Sequence, residues 1–351
     1  MGEILGLGIT HYPGLCYKGN ITRRIKMLLA DPLLPEHLRS PAGWHPTMRE
    51  QWSTDEGAAH SETHRSDMIH HFRKARAELD TFEPDFVLLW ADDQYENFRE
   101  DGIPPLALLA YDSVDIQPWA GHQRGENWWD EPADKTFTMT GHRKGAKHLA
   151  SALLRDGIDV AYAYKPRHHP LGHGFANSLL YLDFDRKGFP FPVVPFAINA
   201  YGRWVISAHG APMTPSQAAT LTDDVLDPPG PQPWRCFQVG AAVARAITAS
   251  PYRVAVIASS SWSHSFLVEK NARMFPDTES DKRYYEALRN ADWAPWRTTA
   301  IEEAEDRGHH ELLNWFCLAG AMSELGRKPD ECTFLESWIS NSNKVFAVFR
   351  P

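Results

Sequence analysis

The sequence is poor in several things that would assign it quickly. No run approaches the roughly 18 apolar residues that a membrane span requires, so no span is expected. The opening residues lack a basic segment followed by a small-residue cleavage site, so no signal peptide is read there. Cysteine is scarce: Cys16, Cys236, Cys317 and Cys332 stand far apart with no CxxC pair. That pattern suits reduced thiols in a cytoplasm better than a disulfide framework. Basic residues do not prevail either. With 45 acidic against 36 basic residues the net charge is −9, which argues against nucleic acid or an anionic membrane as partner. There is no internal repeat, no low-complexity tract and no GxSxG elbow.

Histidine and tryptophan, by contrast, are plentiful, at 17 and 13. Trp44, Trp52, Trp119, Trp128 and Trp129 fall in segments that read as loops. Such tryptophans either line a pocket for a flat ligand or pin long loops to the body, and composition does not decide between the two.

Short β-branched or apolar runs at residues 4–9, 86–90, 160–164, 193–198, 254–258 and 345–349 read as buried strands. Between them Met68, Ile69, Phe72, Ala75 and Leu79 fall at helical spacing. So do Val239, Ala242, Val243, Ala246 and Ile247, and Leu312, Leu313, Phe316, Ala319 and Met322. This alternation predicts an α/β fold: a single domain over residues 1–351, with a central mixed sheet flanked by helices. Residues 16–58 and 100–140, rich in Pro, Gly, Trp and charge, are expected as long loops over the active-site face, with a helical hint near 21–29.

Chemistry-bearing residues gather at strand ends, where an open α/β sheet builds its ligand crevice. The first strand runs into Thr10-His11-Tyr12-Pro13-Gly14, and the second into Asp92, Asp93, Gln94, Glu96 and Asn97. A later strand runs into Ser259-Ser260-Ser261-Trp262-Ser263-His264. His173 stands between two glycines, which suits an acid/base that a substrate must reach, and an acidic run spans 277–281. Each also has a bland reading, as a satisfied turn histidine or a solvated loop. Jointly they supply the imidazoles and carboxylates of a non-haem iron site.

In this order the segments resemble the catalytic subunit of class III extradiol dioxygenases, the group containing protocatechuate 4,5-dioxygenase. The resemblance rests on Gly8-Ile9-Thr10-His11, Pro84-Asp85-Phe86-Val87, Asp92-Asp93-Gln94 with Asn97-Phe98, and Gly172-His173-Gly174-Phe175. It continues through 194–199, Trp262-Ser263-His264, Glu279 with Asp281, and Asn314-Trp315 before Ala319-Gly320-Ala321. It implies Fe(II), a catechol-like or hydroxylated heteroaromatic substrate, O₂, and a chain acting alone or as a homodimer. It also implies His11 and Glu279 as metal ligands, His173 as acid/base, and His264 beside substrate or oxygen.

The family's second histidine ligand falls on Gln94, a departure that leaves three readings. Gln94 itself coordinates, or His60 or His64 replaces it, or iron binding has been lost. The last makes the chain a metal-free relative that binds aromatic ligands or supports a catalytic subunit. A metal-dependent hydrolase on the same residues is the remaining alternative class.

Overall fold

Apolar runs in this chain form strands that are covered on both faces. The computed structural model describes residues 1–19, 21–120 and 125–351. Its strands are β1 (Glu3–Ile9), β2 (Phe86–Asp92), β3 (Leu106–Leu109), β4 (Ser113–Ile116) and β5 (Phe137–Thr140). The second half adds β6 (Ala161–Ala163), β7 (Val193–Ile198), β8 (Arg253–Ser259), β9 (Glu331–Leu335) and β10 (Lys344–Phe349). Eight of them form one mixed sheet in the order β6-β3-β7-β2-β8-β1-β10-β9, and β4 pairs with β5 apart from it. At the centre β7, β2, β8 and β1 run parallel, so their carboxyl ends share one edge. β3 and β10 pair antiparallel on either side of this block.

Alternation along each strand sorts side chains between two helical layers. Ile4, Phe86, Leu88, Trp90, Val254 and Val256 face a core shared with helices Arg143–Arg155, Pro233–Thr248 and Leu313–Glu324. Leu5, Leu7, Ile9, Val87, Leu89, Ala91 and Ile257 face helices Ala58–Phe82 and His173–Leu182. In β1 two of the three positions on this face, Gly6 and Gly8, are glycines because helix Leu313–Glu324 lies close. A Cβ on Gly8 would stand 2.1 Å from the Trp315 ring, and one on Gly6 would stand 2.8 Å from Met322 Sδ.

All six runs read as buried strands contain strands, but β6, from the 160–164 run, is a short exposed edge strand; each helical stripe lies in a helix, the third from Leu313 onward. The loops hold more order than expected. Residues 100–140 contain β3, β4 and β5, and 16–58 contain helices Arg23–Leu29 and Pro46–Trp52; Asn20 and residues 121–124 lie outside the described residues. Trp44 and Trp52 pack edge to face and join Met48, Met274 and Trp338 in a satellite core. Trp119 and Trp129 pack together, and Trp129 packs on Phe184. These tryptophans fasten loops to the body. No helix of the described residues is long and apolar enough to cross a membrane.

Candidate metal centre

His11 follows β1 by two residues and sits beside the ends of β8 and β2, 1% exposed. Its Nδ1 lies 3.0 Å from the Ser259 carbonyl, which can only accept, so Nδ1 carries the hydrogen and Nε2 keeps its lone pair. That Nε2 stands 3.3 Å from Asp92 Oδ1 and 3.4 Å from Glu311 Oε2. Asp92 arrives because β2 runs on to it. As an even position of the strand it faces the layer of helix Leu313–Glu324, where Asn314 Nδ2 approaches its Oδ1 at 3.5 Å. Glu311 comes from the turn before that helix. Its Oε1 lies 3.1 Å from His264 Nε2 and accepts from the Tyr201 hydroxyl.

Three buried donor atoms are left with no hydrogen-bond partner: His11 Nε2, Asp92 Oδ2 and Glu311 Oε2. Burial and the adjacent Glu311 push the Asp92 carboxyl up to about 6, against the pull of His11 and His173. Burial also works against ionised Glu311, but His264 and His11 hold it well below the usual range. Burial would lower the His11 imidazole, but Asp92 and Glu311 raise it. Two carboxylates out of water against one imidazole are costly as they stand, and a divalent cation would relieve that cost. The donor set of one imidazole and two carboxylates fits such an ion of the first transition row.

His173 opens helix His173–Leu182 and meets His11 edge-on, ring centroids 5.2 Å apart. His11, Asp92 and His173 each offer an atom within 4.8 Å of the others. Glu96 accepts from His173 Nδ1 at 2.9 Å and from its backbone N–H, so one carboxylate caps the helix and orients the ring. Gly172 permits this approach, since a Cβ there would stand 3.0 Å from Glu96 Oε2. Burial would lower His173, but Glu96, then Asp92 and Glu311, raise it to about 9. At 23% exposure the His173 side chain reaches solvent where His11, Asp92 and Glu311 do not.

The structure thus brings His11, His173 and His264 together but separates two residues expected beside them. Glu279 lies outside the cluster, on the second position of helix Thr278–Arg289, with its side chain 77% exposed and 3.9 Å from Lys282. Successive helical residues point about 100° apart, and of that acidic run Asp281 is the residue turned inward. It accepts from His309 Nε2 at 2.7 Å, Asn343 Nδ2 at 2.7 Å and the Ser263 N–H at 3.1 Å. Gln94 also stays out: beyond the strand end its Nε2 donates to the Gly210 carbonyl.

His60 bonds Ser337 at 3.0 Å, and His64 is buried near Lys344, so neither enters the cluster. The serines after β8 brace the fold: Ser178 donates to Ser259 Oγ, and Ser261 bonds Thr10. Sequence reasoning missed Glu311 and Tyr201, and it singled out Asp92 and Glu96 only as members of the polar cluster after the second strand. For Glu311 a signal existed in the polar run Gly308-His309-His310-Glu311 directly before an apolar helix.

Residues 214–347 match the family described as the catalytic LigB subunit of aromatic ring-opening dioxygenase, a stretch carrying His264, Glu311 and Asn314. A 2,3-dihydroxyphenylpropionate/2,3-dihydroxicinnamic acid 1,2-dioxygenase of Pseudomonas putida is 31% identical over 130 residues, 36% of this chain and 34% of the relative. Its counterpart from Paraburkholderia xenovorans is 30% identical over 194 residues, 54% of this chain and 46% of the relative. A gallate dioxygenase of Pseudomonas putida is 24% identical over 201 residues, 56% of this chain and 50% of the relative. The chain therefore spans from a third to half the length of these curated relatives. Over these stretches the chain is similar to the LigB family of aromatic ring-opening dioxygenases and to ring-cleaving dioxygenases of catechol-type acids.

Proposed function

We propose that this chain is a non-haem Fe(II) extradiol dioxygenase that opens a catechol-like ring with O₂. The carrying observation is the set of three buried donor atoms without a hydrogen-bond partner on His11, Asp92 and Glu311, drawn from three separate elements. These residues would hold the metal. Bound Fe(II) supplies adjacent open positions and one-electron chemistry for a diol and O₂. The remaining work belongs to the chain. His173, which Glu96 keeps protonated up to about 9, stands at the solvent-facing side of the cluster, where a diol arrives, and serves as the acid that gives a proton as the ring opens. Glu96 fixes its ring for that transfer. His264 and Tyr201 hold one oxygen of Glu311, which leaves the other for the metal.

The relatives' names support an aromatic diol as substrate. Site residues from 11 to 311 on one sheet support a single catalytic domain. The absence of any disulfide among the described residues supports a cytoplasmic location. The test is oxygen uptake by anaerobically iron-loaded protein across a panel of catechols and hydroxylated heteroaromatics. Uptake equimolar with loss of diol is expected. Lack of uptake with every diol, or hydrolysis by zinc-loaded protein without O₂, would overturn the reading.

A further inference from the structure

The eight-stranded sheet has two edges, and the fold treats them differently. At one edge β9 is half-buried, and the Tyr285 hydroxyl of helix Thr278–Arg289 donates to its Cys332 carbonyl at 3.1 Å. At the other edge β6 is open. Tyr162 is 53% exposed and Tyr164, just beyond the strand, 41%, with their rings edge to face 5.6 Å apart. β6 runs parallel to β3, and the Ala163 carbonyl accepts from the Ala110 N–H at 2.7 Å. Backbone groups alternate in direction along a strand. Ala161 and Ala163 therefore bond β3, while the N–H and carbonyl of Tyr162 point away from the sheet.

An open edge templates pairing with another chain, and proteins commonly shield it with lysine. Lys165 is exposed two residues past β6, but Asp159 is equally exposed two residues before it. The neighbouring Arg143 and Arg167 have acidic partners in Asp112 and Asp101, whereas among the described residues Asp159 and Lys165 have no ion pair. The segment Asp159-Val160-Ala161-Tyr162-Ala163-Tyr164-Lys165 is complementary to itself when a second copy lies antiparallel to it about Tyr162. In that register the two Tyr162 residues exchange both backbone hydrogen bonds. Ala161 then faces Ala163 in the closely spaced pairs, where small side chains fit. Asp159 of each copy opposes Lys165 of the other on the same face as the alanines. One twofold axis thus satisfies the outward backbone groups and pairs the two unspent charges twice.

We infer that β6 is a dimerisation edge, at which a second copy of this chain continues the sheet antiparallel, centred on Tyr162. An open strand alone would suit any extended peptide; the opposed Asp159 and Lys165 single out the chain itself. β3 and β7 separate β6 from the strand that carries Asp92, so the inference stands apart from the dioxygenase reading.

The test is sedimentation of the full chain from low to high micromolar concentration, where wild type should show a monomer–dimer equilibrium. Asp159→Lys and Lys165→Asp each set like charges opposite one another twice. Each should raise the dimer Kd by about 10-fold, the scale of two cross-strand pairs turned from attraction to repulsion. The double variant reverses both signs and should return the Kd to near the wild-type value. Tyr162→Pro removes the outward N–H without breaking a bond to β3 and should abolish pairing. The charge variants change only exposed side chains, so they keep the test open if the proline variant does not fold. Wild type that stays monomeric throughout would overturn the inference. So would a dimer indifferent to both single charge variants, or a double variant that pairs no more tightly than the singles.

Discussion

Gln94 and Asp92 are two positions apart, yet only Asp92 reaches His11, because β2 ends on it with its side chain toward the Glu311 layer. Gln94→His should therefore leave iron affinity unchanged in a metal titration, since that side chain is directed at Gly210. A clear gain in affinity would mean that the 93–98 turn reorganises around the metal. For His173 the expectation is different in kind. His173→Ala should keep its iron but lose roughly 10²–10⁴-fold in turnover, the range for a lost general acid/base. Loss of iron in that variant would instead make His173 a ligand. Single residues were legible where a strand end or a glycine frame marked them, as with His11 and His173. Glu279 and Asp281 could not be told apart, because a short acidic run does not reveal which member of a helix turns inward.

Between elements, the approach of β1 to helix Leu313–Glu324 places Glu311. Gly8 makes room for Trp315, whose indole N–H also reaches the Ser260 carbonyl at 3.3 Å. Gly8→Ala should cost about 1–3 kcal/mol in denaturant unfolding, as overpacking does, and should weaken metal binding by displacing the helix. Normal stability with normal iron would show that the contact is dispensable. The buried strands were legible because both of their faces are apolar. β3 was not, since four residues after Pro104-Pro105 offer no periodicity, nor was β9, a half-buried edge strand. The loop tryptophans gave an ambiguous signal because a pocket and a satellite core call for the same residue type.

At the scale of the whole molecule, the proposed metal centre is a charge defect that a cation would close. Stripping the metal should lower the unfolding midpoint: binding at a hundred-fold excess over Kd is worth about 2.7 kcal/mol. Metal-free Asp92→Asn should be no less stable than metal-free wild type, because it removes one of two adjoining buried carboxylates. A large further loss in that variant would mean that Asp92 serves the fold and not the metal. The most direct measurement is iron content after anaerobic purification, compared among wild type, Glu311→Ala and Glu279→Ala. Stoichiometric iron in wild type and Glu279→Ala, with near-complete loss in Glu311→Ala, is the expected result. Iron retained by Glu311→Ala and lost from Glu279→Ala would contradict the assignment of the centre.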